Sequence, residues 1–169
     1  MMSTRTARLL TRYNAWANRT LFDGVARLPA GEATKERPTL FKTMVNTLNH
    51  LYVVDLIWRA HLEGRAHNIP ALNTVLHKEL GELYTAQRAI DDWYIAWSDK
   101  LAEPDLDRTV SFTLLSGNKG EMRVGDIVFH LVNHTSYHRG FVADLFFQVP
   151  ATPPLTDLPI YLREHGEPA

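Results

Sequence analysis

The sequence predicts an all-α protein, a four-helix bundle with a short β-hairpin or strand-and-turn insertion before the last long helix. Four segments of about 25 residues each carry apolar side chains at the three- and four-residue spacing of an amphipathic helix. The connections between them span roughly 10 to 22 residues, which a four-helix bundle can accommodate. The 169 residues suffice for one sizeable core, so we expect a single domain over residues 1–169.

The first two helices are bounded by residues that interrupt helices. The first is predicted over residues 4–28 and is followed by Pro29 and Gly31. The second is predicted over residues 39–63 and is followed by Gly64. Apolar residues occupy more than one side of this second helix, which predicts that it is deeply packed.

The rest of the chain contains two more helices, one insertion and a tail. The third helix is predicted over residues 74–101, and the fourth over residues 124–148, ending before Pro150. Between them, residues 108–123 combine a β-branched and aromatic run with the turn sequence SGNKG, which predicts a short strand and turn or a small hairpin. The tail, residues 151–169, carries apolar side chains among its four prolines, so we expect it to dock on the bundle.

The composition argues against several classes of partner and site. The net charge of −1 gives no electrostatic reason to expect nucleic acid or an anionic membrane as a partner. The chain has no cysteine, which excludes disulfides, thiolate metal ligands and a cysteine nucleophile. No apolar run approaches the roughly 18–20 residues of a membrane span, and the first residues turn polar too early for a secretory signal. We therefore expect a cytoplasmic protein in which any metal is held mainly by His, Asp or Glu.

His134 and His138 are the most informative residues of the chain. They stand four apart in the fourth helix, so their side chains project about 40° from each other on one face. Apolar Ile127, Leu131 and Val142 lie on the same stripe. Burying an unpaired polar group costs roughly 2–7 kcal/mol, and one shared divalent metal ion satisfies both imidazoles. From this spacing alone, a metal site and a pair of hydrogen-bonded core histidines are equally supported.

A third ligand must come from another helix, because a catalytic metal site commonly uses three protein ligands and leaves a position for water. His50 is the strongest candidate, since it lies on the packed side of the second helix. His61 shares that face but stands roughly 16 Å further along the helix axis, so it cannot bind the same ion. His130 is expected at the rim of the site, because three histidines on one straight helix do not easily converge on one ion.

The remaining polar and aromatic candidates are given ordinary roles. We expect His67, His77 and His165 to be solvated, Asp55 to be solvated or to pair two helices, Tyr137 to pack against its neighbours, Arg139 to be solvated or salt-bridged, and the four Trp to pack in the core or at an interface. Neither a Glu-x-x-His pattern nor an HExxH motif occurs, which argues against a carboxylate-rich di-iron bundle and against the common metalloproteases.

Four segments spread over nearly the whole chain follow the order of a known family. They are YNAWAN at residues 13–18, NHLYVVDLIW at 49–58, HLVNHTSYHRG at 130–140 and PPLTDLPIYL at 153–162. With them the chain resembles the DinB/YfiT-like family of metalloenzymes, and NHTSYHRG is the most specific piece. The resemblance implies an up-down-down-up bundle, a divalent metal ion held by His50, His134 and His138, and homodimers formed through helix packing. One departure is Phe141, where the family commonly has Gln, so the polarity beside the site is expected to differ.

The leading hypothesis is an enzyme with Zn²⁺ or Ni²⁺ as its cofactor and a small-molecule substrate. The ion would lower the pKa of a bound water toward ~7 or activate a thiol or carbonyl as a Lewis acid. The resemblance implies either hydrolysis or a transferase reaction that uses a low-molecular-weight thiol, and nothing in the sequence selects between them. The alternative is a non-catalytic, metal-stabilised bundle that serves dimerisation or binding. The sequence assigns no general acid or base.

Overall fold

The computed structural model describes residues 2–166 of the chain. Its helices and strands follow in the order α1 (Thr4–Ala26), α2 (Met44–Leu62), α3 (Leu80–Asp99), α4 (Glu103–Asp107), β1 (Thr109–Thr113), β2 (Lys119–Arg123), α5 (Val124–Phe146) and α6 (Leu158–His165). The strand β1 pairs antiparallel with β2, directly before α5. The predicted all-α bundle with a hairpin inserted before the last long helix is therefore confirmed.

The four long helices form the bundle, with α1 and α2 each packed against both α3 and α5. Paired side chains at successive levels give the relative directions: Thr11 with Ser98 and Asn18 with Asp91 for α1 and α3, Asn14 with Thr135 and Asn18 with Arg139 for α1 and α5, and His50 with His138 and Trp58 with His130 for α2 and α5. Residue numbers rise together between α1 and α5 and in opposite senses in the other two pairs. The helices α1, α2, α3 and α5 thus run up, down, down and up, as the resemblance implied.

Two apolar clusters fill the bundle, one towards each end. The first includes Val54 and Trp58 of α2 and Leu131 of α5, together with the hairpin residue Val110. The second includes residues at the other end of the same two helices: Leu48, Leu51, Val142 and Leu145. On α5, the residues between Leu131 of the first cluster and Val142 of the second include His134, His138 and Arg139.

Two helices begin later than the periodicity predicts. The helix α2 begins at Met44 rather than at residue 39, because Lys42 has a left-handed φ of 68° and Thr43 accepts a hydrogen bond from the Asn46 amide as the N-cap. The helix α3 begins at Leu80 rather than at residue 74. The side chain of Asn49 in α2 accepts hydrogen bonds from the backbone amides of Leu76 and His77, so these amides do not take part in helical hydrogen bonds.

The tail docks on the bundle through aromatic contacts. Tyr161 of α6 packs against Tyr13 and Trp16 of α1, and the Tyr13 hydroxyl donates a hydrogen bond to the carbonyl of Thr156. The docking predicted for residues 151–169 is confirmed as far as residue 166; the last three residues lie outside the described part. Over residues 2–166 no helix is both long and apolar enough to cross a membrane.

Candidate metal centre

The two helices α2 and α5 bring three histidines together in the interior of the bundle. His50 lies on the inner face of α2, flanked by the buried Leu48 and Leu51. His134 and His138 lie one turn apart on α5, which packs antiparallel to α2. Each imidazole replaces an apolar side chain on a packed face, so the fold holds the three rings in a crowded interior setting. These residues, His50, His134 and His138, are called the three-histidine site below.

The imidazole nitrogens of the site converge on one point. The Nε2 atom of His50 lies 3.1 Å from Nε2 of His134 and 3.2 Å from Nε2 of His138. All three residues offer ligand atoms within 4.8 Å of one another, and the group can hold a metal ion. The sequence argument grouped these three residues from helix geometry, and the structure brings them together across 84 residues of chain.

The tautomer of His50 follows from its outer nitrogen. Its Nδ1 lies 2.9 Å from the carbonyl oxygen of Leu72, in the loop before α3. Because a carbonyl oxygen only accepts hydrogen bonds, Nδ1 carries the proton and the neutral ring presents the lone pair of Nε2 to the other two histidines. A backbone carbonyl that orients a metal-ligating imidazole in this way is a usual feature of metal sites.

The donor set fits a small divalent cation. Metal–nitrogen bonds of about 2.0–2.1 Å in tetrahedral geometry separate the ligand nitrogens by about 3.3–3.4 Å, so a slight outward movement of the rings would admit an ion. Without a cation, the single lone pair on His50 Nε2 cannot accept from both neighbours at once. Within residues 2–166 the Nδ1 atoms of His134 and His138 have no hydrogen-bond partner, so these two rings are oriented by packing.

Burial keeps the three imidazoles neutral. Burial, together with the neighbouring histidines His138, His50 and His130, lowers the pKa of His134 to about 3. Burial and the nearby His50 lower the pKa of His138 to about 4. Burial lowers the pKa of His50 as well, against the opposing effect of its hydrogen bond to Leu72. At neutral pH all three rings are in the neutral form, which is the form that binds metals.

Aromatic side chains cover one side of the three-histidine site. Phe41 stacks on the His50 ring at 4.4 Å between centroids and contacts the edge of His138 at 5.7 Å. Phe141 lies 5.5 Å from the His138 ring. Tyr137 is exposed and packs on both His138 and Phe141, which agrees with an ordinary packing role. The ligand-bearing segment of α5 is therefore shielded by rings rather than by hydrogen-bonding groups, and Phe141 makes this side apolar.

The other histidines lie outside the three-histidine site. His130 packs beside His134 at 5.7 Å and on Trp58, which is the rim position expected for it. His61 packs with His67 and Phe112 near the hairpin, so it does not join His50. The remaining outcomes differ by residue: His165 is exposed, whereas His67 and His77 are half-buried rather than fully solvated, and His77 packs on Tyr52.

A second set of polar side chains lies buried beside the site, and the sequence argument missed most of it. Arg139 was expected to be solvated or salt-bridged, but only 3% of it is exposed, and it donates hydrogen bonds to Asn14 and Asn18 of α1 at 2.7 and 2.8 Å. The error arises because α5 faces α1 as well as α2, so its buried arc is wider than the apolar stripe. Asn14 was the available signal, since it interrupts the stripe of the first helix.

The same set continues into α3 through two buried carboxyl groups. Gln87 donates from Nε2 to Asp55 at 2.8 Å and to Asp91 at 3.1 Å, and Asn18 donates to Asp91 at 3.1 Å. Asp55 therefore pairs two helices, the second of its two expected roles, and it is not solvated. Burial raises the pKa of Asp55 to about 7 and raises the pKa of Asp91 well above its usual range. We call Asn14, Asn18, Asp55, Gln87, Asp91 and Arg139 the polar network.

Two cavities lie beside His61 and the hairpin. One of about 340 Å³ has His134 in its wall. A larger one of about 770 Å³ lies between residues 64–68 and the hairpin, and none of the three ligand candidates lines it. The smaller cavity is the one that can serve chemistry at the three-histidine site.

The chain is similar to known proteins over nearly its whole length. The family model described as DinB family matches residues 2–168. The chain is also 26% identical over 159 residues to Protein DinB of Bacillus subtilis (strain 168), an alignment that covers 90% of this chain and 91% of that protein. The helical bundle and the three-histidine group are compatible with this family match. The chain belongs to the DinB family.

Proposed function

We propose that this protein is a divalent-metal-dependent enzyme whose ion is held by His50, His134 and His138. The observation that carries the proposal is the convergence of three neutral Nε2 atoms beside a cavity. Three imidazoles leave coordination positions for a substrate or water, as in catalytic rather than closed structural sites. Zn²⁺ and Ni²⁺ are the proposed ions, because imidazole suits both.

The side chains of the site have distinct tasks in this proposal. The Leu72 carbonyl fixes the His50 ring, and the packing of Phe41 and Phe141 orients His138 and keeps water from that side. A divalent ion held there would supply Lewis acidity and would lower the pKa of a bound water or thiol. Since three neutral ligands leave its charge uncompensated, the site favours an anionic group on the substrate.

Two reaction classes are proposed for this chemistry, hydrolysis and transfer with a low-molecular-weight thiol. Thermal shift of the metal-loaded protein with glutathione, mycothiol and bacillithiol separates them. Stabilisation by one thiol, lost in His134→Ala, is expected for the transferase. If none of the thiols raises the melting temperature of the loaded protein, hydrolysis is the class that stands.

Metal content is the direct test of the site. Protein purified without chelator, or dialysed against Zn²⁺ or Ni²⁺, is expected to hold about one ion per chain by elemental analysis. His50→Ala and His134→Ala should lose it, whereas His165→Ala, an exposed histidine of α6, should keep it. Wild-type protein that never takes up either ion would show that the proposal is wrong.

The alternative, a non-catalytic bundle stabilised by metal, makes a different prediction for stability. A structural ion contributes to folding outright, so His134→Ala should then lower the melting temperature strongly. A catalytic ion predicts a modest loss, with metal content abolished. The melting curve of this variant, measured beside that of His165→Ala, decides between the two.

We also propose a homodimer formed through the outer face of α5. Phe129 and Phe147 are 63% and 71% exposed and stand five helical turns apart, so they project in the same direction, with exposed Gly140 between them. Sedimentation of wild type should give a dimer, and Phe129→Glu should give a monomer. Leu155→Glu, at another exposed apolar residue, is the control and should stay dimeric. A wild-type monomer at all concentrations would contradict the proposal.

A further inference from the structure

The cavity beside His134 is built from four separate parts of the chain. Its wall includes Val54 and Trp58 of α2, His130 and His134 of α5, Leu72 of the loop before α3, and residues 113–116 of the hairpin turn. Its volume is about 340 Å³, within the range of small-molecule sites in proteins. The hairpin insertion thus has a place in the site that the four helices by themselves would not provide.

The wall of this cavity is apolar. Its lining residues include six aliphatic or indole side chains and, among the residues described, none with a carboxylate, ammonium or guanidinium group. The polar groups present are the hydroxyls of Thr113 and Ser116 and three imidazoles. A cavity of this composition stabilises an apolar group far better than a charged or polyhydroxylated one.

Three leucines of the wall remain partly in solvent. Leu72, Leu114 and Leu115 are 47%, 48% and 38% exposed, although they come from two loops that are far apart in the chain. Exposed apolar side chains gathered around one concave site mark a binding surface more often than a chance arrangement. A ligand in the cavity would remove their apolar surface from water.

Two residues, His134 and Leu72, connect the cavity to the three-histidine site. His134 lines the cavity and presents Nε2 to His50. Leu72 also lines the cavity, and its carbonyl accepts a hydrogen bond from His50 Nδ1. Phe41, which packs on His50 and His138, is not among the lining residues, so the cavity reaches the site from the His134 side.

We infer that the substrates of this site are small molecules that combine a metal-binding group with an aliphatic or aryl group, and that the cavity lined by Trp58, Leu72 and Leu114 binds the apolar part. At the roughly 30 Å³ that a water molecule occupies in the liquid, the cavity has room for about ten non-hydrogen atoms. The inference rests on the proposed metal site and adds to it the class of molecule that is bound there.

The test uses Co²⁺-loaded protein and two alkyl hydroxamates that share one metal-binding group and differ in chain length, acetohydroxamate and hexanohydroxamate. Their affinities are read from the change in the visible absorption of the bound Co²⁺. Each buried methylene strengthens binding by about fourfold, so hexanohydroxamate should bind at least tenfold more tightly. Equal affinities would overturn the inference while leaving the metal site standing. Failure to take up Co²⁺, Zn²⁺ or Ni²⁺ would instead overturn the proposed function.

A matched pair of variants assigns the preference to the cavity. Leu114→Asp places a carboxylate in the wall, and Leu155→Asp makes the same change at an exposed leucine of the tail that does not line the cavity. Leu114→Asp should reduce the ratio of the two affinities at least threefold with Co²⁺ content unchanged, and Leu155→Asp should leave the ratio as it is. Because both ligands carry the same head group, an effect of the new charge on the ion cancels in the ratio. A full preference in Leu114→Asp would contradict the inference.

Discussion

The bundle buries two polar clusters side by side, the polar network and the three-histidine site. They differ in how their buried polar atoms find partners. The polar network combines amide and guanidinium donors with amide and carboxyl acceptors, so its members bind one another. Among the described residues, Asp55 Oδ1, Gln87 Oε1 and Arg139 Nε nevertheless have no hydrogen-bond partner. The three-histidine site instead turns three ring nitrogens toward one another. The single lone pair of His50 Nε2 can accept a hydrogen bond from either His134 or His138, but not from both. A cluster that mixes donors and acceptors can form hydrogen bonds unaided, whereas a cluster of like acceptors can hold a cation.

The two clusters also differ in how burial changes their titration. Burial lowers the pKa of His134 and so favours the neutral ring that a metal requires. In the network, burial raises the pKa of Asp55 to about 7, against the opposing effects of its hydrogen bond from Gln87 and of the Arg139 charge. A proton on Asp55 would turn one of its oxygens into a donor, so the network can adjust its hydrogen bonds without an external ligand.

The largest effect is expected from Arg139→Met, which breaks the network. The change removes a buried charge that binds Asn14 and Asn18, and it should lower the free energy of unfolding by about 3 kcal/mol or more, measured by urea titration. Arg163→Met, at an exposed arginine of α6, should change it by less than about 0.5 kcal/mol. A loss below about 1 kcal/mol in Arg139→Met would mean that the network contributes little to stability.

The network is expected to lower stability as the pH rises from about 4 to about 7, that is, between the ordinary pKa of an aspartate and the raised pKa of Asp55. The folded pKa of Asp55 is raised, so the folded protein holds a proton that the unfolded chain releases, and stability falls as the pH rises through about 7. The fall attributable to Asp55 is at most about 4 kcal/mol. Asp55→Asn cannot titrate, so the free energy of unfolding of the wild type should fall relative to that of this variant between about pH 4 and pH 7. Asp144→Asn, at an exposed residue of α5, should follow the wild-type curve, and a constant difference between the wild type and Asp55→Asn over this range would contradict the prediction.

Stabilisation by Zn²⁺ should depend on the three-histidine site and not on the polar network. At a free Zn²⁺ concentration about 100 times its dissociation constant, the ion should stabilise the wild type by about 2.7 kcal/mol. The same gain is expected in Asp55→Asn, whose metal ligands are intact, and no gain in His134→Ala. Thermal unfolding with and without Zn²⁺ measures all three. If Asp55→Asn loses the gain, the two clusters are coupled rather than independent.

A smaller effect is expected from the contact that positions Leu72. Asn49 binds the backbone at Leu76 and His77 and so holds the loop whose carbonyl orients His50. Asn49→Ala should weaken Zn²⁺ binding about tenfold, the lower end for a group that orients a metal ligand. Asn73→Ala, an exposed residue of the same loop, is the control for calorimetric titration. Unchanged Zn²⁺ affinity in Asn49→Ala would show that the loop does not position His50.

Much of the fold and the grouping of the three histidines could be predicted, whereas the polar network could not. Helical spacing gave the four long helices and placed His134 and His138 on one face, and the packed side of α2 pointed to His50. The buried position of Arg139 was missed because the spacing of one helix does not say how many neighbours it faces. Metal binding, the single domain over residues 1–169, the cytoplasmic location and the lack of a nucleic-acid partner stay predictions.

The sequence by itself determined the features that depend on the local geometry of the chain. The period of the α-helix follows from its backbone, so the fold class, the i and i+4 histidine pair and the hairpin turn can be read from residue order. Only the tertiary structure decided which residues 84 or 125 positions apart meet, as His50 meets His134 and Asn14 meets Arg139. Those contacts depend on how four helices and a hairpin pack together. For that reason the closeness of the ligands, the composition of the network and the cavity beside His134 emerged only from the fold.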